Sequence, residues 1–155
     1  MAERYGRNAV EDAIVALLNT NSSDLNSGLT VSVKKIVTQK PDNIVIGLPE
    51  YPAICVAFIS ADREFQGASS RIRDEAHYEV HFWTSNKYSI DASRDEADAL
   101  LDNLLYIFDS NTGIVSLSST RGYLLAKRVA YNYNTDDSGF ITHGSIDLDV
   151  IRVLN

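Results

Sequence analysis

Residues 77–81 read His-Tyr-Glu-Val-His, two histidines bracketing a carboxylate at every second position. Imidazole and carboxylate both bind zinc at about 2.0–2.2 Å, which raises the question of a metal-dependent hydrolase. Spacing answers most of it. Tyr78, Val80 and Phe82 alternate with the polar residues, the period of a half-buried strand. On a strand, side chains two apart stand about 6.6 Å from each other and those four apart about 13 Å. His77 and His81 therefore cannot share one ion, and Glu79 joins at most one of them. His143 is the only other histidine, and no cysteine or second His–carboxylate cluster accompanies it. The stretch reads as the polar face of a strand lying at a subunit interface, with no metal and no cofactor.

Other chemistry is weaker still. Asp147 and Asp149 alternate on a strand in the manner of a paired carboxylate site, but a cross-strand partner, Lys127, accounts for Asp147. Asp136 and Asp137 sit in a turn, where aspartate serves the backbone. Cys55 lies inside AICVAFI and reads as a small buried hydrophobe. No GxSxG elbow, P-loop, GxGxxG after a strand or HExxH is present. Nothing in the sequence argues for an enzyme.

The elements that hold these residues follow from patterning. Val10, Ile14, Leu17 and Leu18 recur at helical intervals behind an Asn8–Glu11 capping box. Residues 19–28 break that helix, and Leu29, Val31 and Val33 alternate as a strand. AICVAFIS (53–60), apolar on both parities, reads as a central strand introduced by the prolines of LPEYP. ADREFQGASSRIRDEA (61–76) reads as a long flexible loop. HYEVHFWTS is the next strand. Ser93 and Glu96 form a second capping box, and Ala97, Leu100, Leu101, Leu104 and Phe108 one apolar stripe.

Two long strands close the chain, 122–134 and 140–154. If Asn134 opposes Phe140, then Leu124 meets Val150, Ala126 meets Leu148 and Lys127 faces Asp147, two apolar pairs and one charge pair. The other face of this hairpin, with Tyr123, Val129, Tyr131, Tyr133, Ile141 and Ile151, is too apolar to be simply solvated. Each arm spans about 40 Å, and a helix of about sixteen residues covers about 24 Å, so one end overhangs and wants a neighbour. The expected architecture is a single α+β domain over residues 1–155. Its order is α-β-β-β-α-β-β, an antiparallel sheet of about five strands with two helices on one face and a long C-terminal hairpin.

Composition agrees. At 45% hydrophobic and 23% charged residues, the 155-residue chain is ordinary for a soluble globular protein. It carries no secretion signal, and its longest apolar run, 53–59, is too short for a bilayer. One cysteine excludes an internal disulfide framework and fits a reducing cytoplasm. A net charge of −7 and a pI near 4.8 argue against a protein that grips nucleic acid through phosphates, but not against one that DNA slides past.

Taken together, the opening helix VEDAIVALLN, the strand EYPAICVAFIS, the polar loop, the strand HYEVHFWTS, the helix RDEADALLDNLLYIF and the hairpin ending IDLDVIRVL resemble the tail-terminator (tail-completion) proteins of tailed bacteriophages. The resemblance covers nearly the whole chain and is one of pattern and length. It implies a structural virion protein at the head-proximal end of the tail, assembled in the host cytoplasm. Its ring, usually of six copies, caps the tail tube, stops polymerisation and presents a docking face to a neck or head-completion protein. The bore passes double-stranded DNA without reading its sequence, and six copies would carry roughly −42. On that reading Tyr123, Val129, Tyr131 and Tyr133, with His77, Glu79 and His81, form the subunit interface. Arg63, Phe65, Arg71, Ile72 and Arg73 contact the tail tube, and Met1–Arg7 and Asn155 reach the neck. The alternatives are another head–tail joining component (head-completion or sheath-capping), a small metal-dependent enzyme using His81 and Glu79, and a small-molecule-binding domain.

Overall fold

The computed structural model describes residues 7–38, 51–65, 67, 72–113, 122–136 and 139–154. Helix α1 (Arg7–Thr20) is followed by one helical turn, α2 (Ser22–Leu25), and strands β1 (Lys35–Val37), β2 (Ala53–Phe65) and β3 (Ile72–Asn86). Helix α3 (Ile90–Ser110) precedes the terminal hairpin of β4 (Gly122–Asp136) and β5 (Gly139–Leu154). The sheet order is β1-β2-β3-β5-β4. All neighbours are antiparallel except β1, which runs parallel to β2 and makes the sheet mixed rather than wholly antiparallel. No described helix is long and apolar enough to cross a membrane.

One face carries the core. Val10, Ile14 and Leu18 of α1 and Ala97, Leu100, Leu104, Ile107 and Phe108 of α3 close over Ile54, Val56, Tyr78, Val80, Phe82, Leu124, Ile146, Leu148 and Val150. Each fully buried aliphatic or phenyl side chain contributes about 1.5–3 kcal/mol, so both helices are held by their apolar stripes rather than by intrinsic propensity. Phe82 stands directly opposite Gly144, and a Cβ there would lie 2.2 Å from the end of the Phe82 ring. The glycine is the space the ring fills.

Both expected capping boxes give way to longer-range bonds. Helix α1 already includes Arg7 and Asn8, and Glu11 accepts from the Phe58 amide at 2.8 Å, beside a break in the β2–β3 register between Phe58 and Ser60. The cap of α3 is Ser89, whose Oγ accepts from the Ala92 amide at 3.2 Å. Ser93 is instead buried: its Oγ lies 2.9 Å from Thr142 Oγ1, and Thr84 Oγ1 donates to its carbonyl at 2.7 Å, fixing α3 to β3 and β5. Glu96 accepts from the Thr30 amide at 2.7 Å, and Asn26 Oδ1 from the Val33 amide at 2.7 Å. Those two bonds take backbone donors that a strand over 29–33 would need, and the strand forms later, at Lys35–Val37.

The expected loop over 61–76 is also corrected. Strand β2 continues through Phe65 and β3 begins at Ile72, so only 66–71 connects them, with Gly67 at φ +68°. Arg63 pairs with Asp74 and Glu64 with Arg73, and such cross-strand charge pairs sustain a strand without core burial. Asp74 is fully buried opposite Arg152, whose Nη2 lies 3.5 Å from its Oδ2. The terminal hairpin keeps Leu124 with Val150 and Ala126 with Leu148, as expected. Lys127 is then a bulge, so Arg128 faces Asp147 and the far end slips by one residue, Asn134 meeting Ile141 and Thr135 meeting Phe140. Its arms of 15 and 16 residues reach about 50 Å, and α3, at 21 residues, about 32 Å. The hairpin therefore outruns its helix by roughly 18 Å.

Candidate functional site

The face of the sheet away from the helices collects the polar residues of the His77–His81 stretch. Strand alternation turns His77, Glu79, His81 and Trp83 of β3 to this side, because Tyr78, Val80 and Phe82 fill the core. Strand β5 adds His143, Ser145, Asp147 and Asp149, which stand opposite Trp83, His81, Glu79 and His77.

At one end His77 bridges two carboxylates, with Nδ1 2.7 Å from Asp149 Oδ1 and Nε2 3.1 Å from Asp62 Oδ2. Carboxylates only accept, so this geometry is satisfied by the doubly protonated ring. The bond to Asp149, then that to Asp62, holds the His77 pKa above its ordinary value. Asp149 is 5% exposed. Burial alone would push its carboxyl up, but hydrogen bonds from Lys127 and His77 outweigh that and hold it below the usual range. Lys127 Nζ reaches Asp149 Oδ2 at 2.5 Å and Glu75 Oε1 at 3.8 Å. The expected partner of Lys127 was Asp147; the bulge gives it Asp149 instead.

At the other end the surroundings are drier. His81, 8% exposed, has Nε2 2.7 Å from Glu79 Oε2 and Nδ1 2.8 Å from His143 Nε2. The His143 ring stacks on Trp83, with centroids 4.8 Å apart and planes 7° from parallel, and on His81 at 5.0 Å. Burial, and then the charge of His81, lower the His143 pKa to about 4. Sequence reasoning set His143 apart from the other two histidines. The β3–β5 register, which places Trp83 against His143, was the missing information. Among the described residues no three His, Cys, Asp or Glu side chains could hold one metal ion.

The remaining expected contact residues divide. Tyr123, 58% exposed, lies opposite Ile151, and its neighbour Leu125 lies opposite Asp149. Val129 falls beyond the bulge and pairs with Ile146, a core residue, so it shares the helix side of the sheet and not the side of Tyr123. The single apolar face expected for the hairpin is therefore broken at Lys127. Positions 131 and 133 pair with Gly144 and Thr142, and the side chains of Tyr131 and Tyr133 lie outside the described ones. Arg63 and Phe65 end β2, with Phe65 74% exposed, while Ile72 and Arg73 begin β3. Arg73 Nη1 bonds Glu75 at 3.2 Å. Arg71 lies outside the described residues.

No family model matches the chain, and no curated protein matches it. Solved structures do. A chain of the virion of a native gene transfer agent particle aligns at 12% identity and a TM-score of 0.49, covering 92% of this chain and 93% of that one. The gp17 protein of bacteriophage SPP1 aligns at 20% identity and a TM-score of 0.44, covering 97% and 95%. The first neighbour belongs to a gene transfer agent virion and the second is a bacteriophage protein.

Proposed function

We propose that this chain is a structural, non-enzymatic component of a tailed-phage virion that acts as a tail terminator. In that role its copies close into a ring, usually of six, on the finished tail tube. The observation that carries the reading is the order of elements along the whole chain: helix, strands, helix and long hairpin. Among the described residues these build a sheet covered by helices on one face only. Two further features support it. The hairpin outruns its helix, and among the described residues β4 is an edge strand with no strand on its outer side. The ring would lean on the side of Tyr123, Leu125, His77 and Glu79. The β2–β3 end, carrying Arg63, Phe65, Ile72 and Arg73, would meet the tube protein, and a neck protein would sit opposite. DNA would pass through the bore held by no base contact, as the acidic composition favours.

Mass photometry and negative-stain images of the purified protein, alone and with tail tubes, test this reading. Closed rings on tube ends are expected. Particles that stay monomeric at tens of micromolar and leave tube ends bare overturn it. Rings that bind isolated head vertices but never tubes assign the chain to another head–tail joining role. Tyr123→Arg should weaken ring formation about tenfold or more while leaving the monomer folded, as an interface side chain requires.

A further inference from the structure

The side-chain contact between His81 of β3 and His143 of β5 turns on a single proton. Glu79 only accepts, so Nε2 of His81 carries a hydrogen toward it, and the other nitrogen, Nδ1, faces His143 Nε2 at 2.8 Å. If His81 is neutral, Nδ1 accepts from the His143 N–H. If His81 is charged, Nδ1–H donates to a neutral His143. Both arrangements close the bond with one hydrogen between the rings. With both rings charged, two N–H groups point at each other across 2.8 Å and no bond exists.

We propose that this pair is a one-proton latch on the open face of the sheet. It stays closed while at most one ring is charged and opens when both are, releasing the Trp83 ring stacked on His143. The groups around it set the condition for opening. On β3 these are Glu79, which accepts from His81 Nε2, and Trp83, whose ring stacks on His143. On β5, Asp147 lies two residues past Ser145, and Arg128 of β4 stands opposite it. From β2, buried Cys55 faces His81 in the register. The apolar core lies on the far side of the sheet. The surroundings oppose charging of the second ring, and burial already holds His143 down to about 4. The latch is thus closed at neutral pH and opens on strong acidification. His77 lies outside it, because both of its nitrogens are held by Asp149 and Asp62.

The chain has three histidines and one tryptophan, so each signal is assignable. Imidazole nitrogen correlation spectra at pH 7 should show the His81 Nε2–H form and one proton shared between His81 Nδ1 and His143 Nε2. Acid titration should then move the His143 imidazole with a midpoint near 4. Trp83 emission should change at the same midpoint, ahead of any loss of far-UV circular dichroism. His143→Gln should abolish the Trp83 transition and His77→Gln should keep it. A Trp83 transition that survives in His143→Gln overturns the proposal, as does a His143 ring that charges without any change at Trp83. If global unfolding precedes the midpoint, the pH 7 spectra decide, and absence of the shared proton overturns it.

Discussion

On its helix side β3 presents Tyr78, Val80 and Phe82; on its other side, one residue out of step, it presents His77, Glu79, His81 and Trp83. The same strand, over the same few residues, thus answers to two kinds of constraint. The first face is governed by volume: Tyr78, Val80 and Phe82 are buried in a helix–sheet interior, and a Cβ at Gly144 would meet the Phe82 ring. The second is governed by proton number, since His77 sits between two carboxylates and His143 against another imidazole and an indole. Two histidines on one face are therefore driven in opposite directions, one toward charge and one away from it. Sheet alternation supplies this contrast without any change of secondary structure.

The largest expected effect tests the volume-governed face. Phe82→Ala should cost about 3–5 kcal/mol in urea unfolding, and Gly144→Ala about 1–3 kcal/mol by overpacking against the Phe82 ring. The double variant should lose much less than the sum, because removing the ring vacates the space that the added methyl needs. Additive losses would show that the two residues do not share that space. Ser93→Ala should follow at about 1–3 kcal/mol, because Thr142 Oγ1 and the Thr84 carbonyl lose a buried partner.

The proton-governed face gives smaller effects, read best against pH. His77 has a raised pKa in the fold, so its stabilisation is full below the ordinary value of 6.5 and disappears as pH rises through the folded midpoint. The stability gap between the native chain and His77→Gln should accordingly be widest in mild acid and close in mild alkali. His143 has the opposite sign. Between 6.5 and about 4 the unfolded chain binds a proton that the folded ring does not, so this residue destabilises progressively on acidification. His143→Phe should therefore flatten the acid limb of the stability curve. Parallel curves for both variants would contradict the contrast. The smallest expected change is spectroscopic. Asp149→Asn should lower the His77 midpoint toward 6.5 without abolishing its upward shift, because Asp62 still accepts from Nε2.

Much of the framework was legible because it rests on periodicity. The stripes of α1 and α3, the alternation along β3 and the pairs Leu124–Val150 and Ala126–Leu148 all follow from which residues must avoid water. What escaped depends on contacts between residues distant in sequence. Glu11 and Glu96 have the spacing of capping residues, yet each serves the backbone of another segment. Residues 61–65 and 72–76 look like loop because their charges are unmatched within the segment, and the matching charges stand on the opposite strand. Lys127 looks like any other strand residue, and a one-residue bulge leaves no composition signal, yet it moves Val129 to the opposite face from Tyr123. Of the open face, the polar alternation of His77, Glu79 and His81 was readable. The approach of His143 was not, because it requires the register of β3 against β5.

The ring of Phe82 lying over Gly144 has a bearing on ancestry. Bulk at the first position and emptiness at the second are expected to change together: a cousin with a slimmer residue at 82 is freed to carry a side chain at 144. Distant kin are thus better sought by the sum of the two volumes than by letter identity at either position.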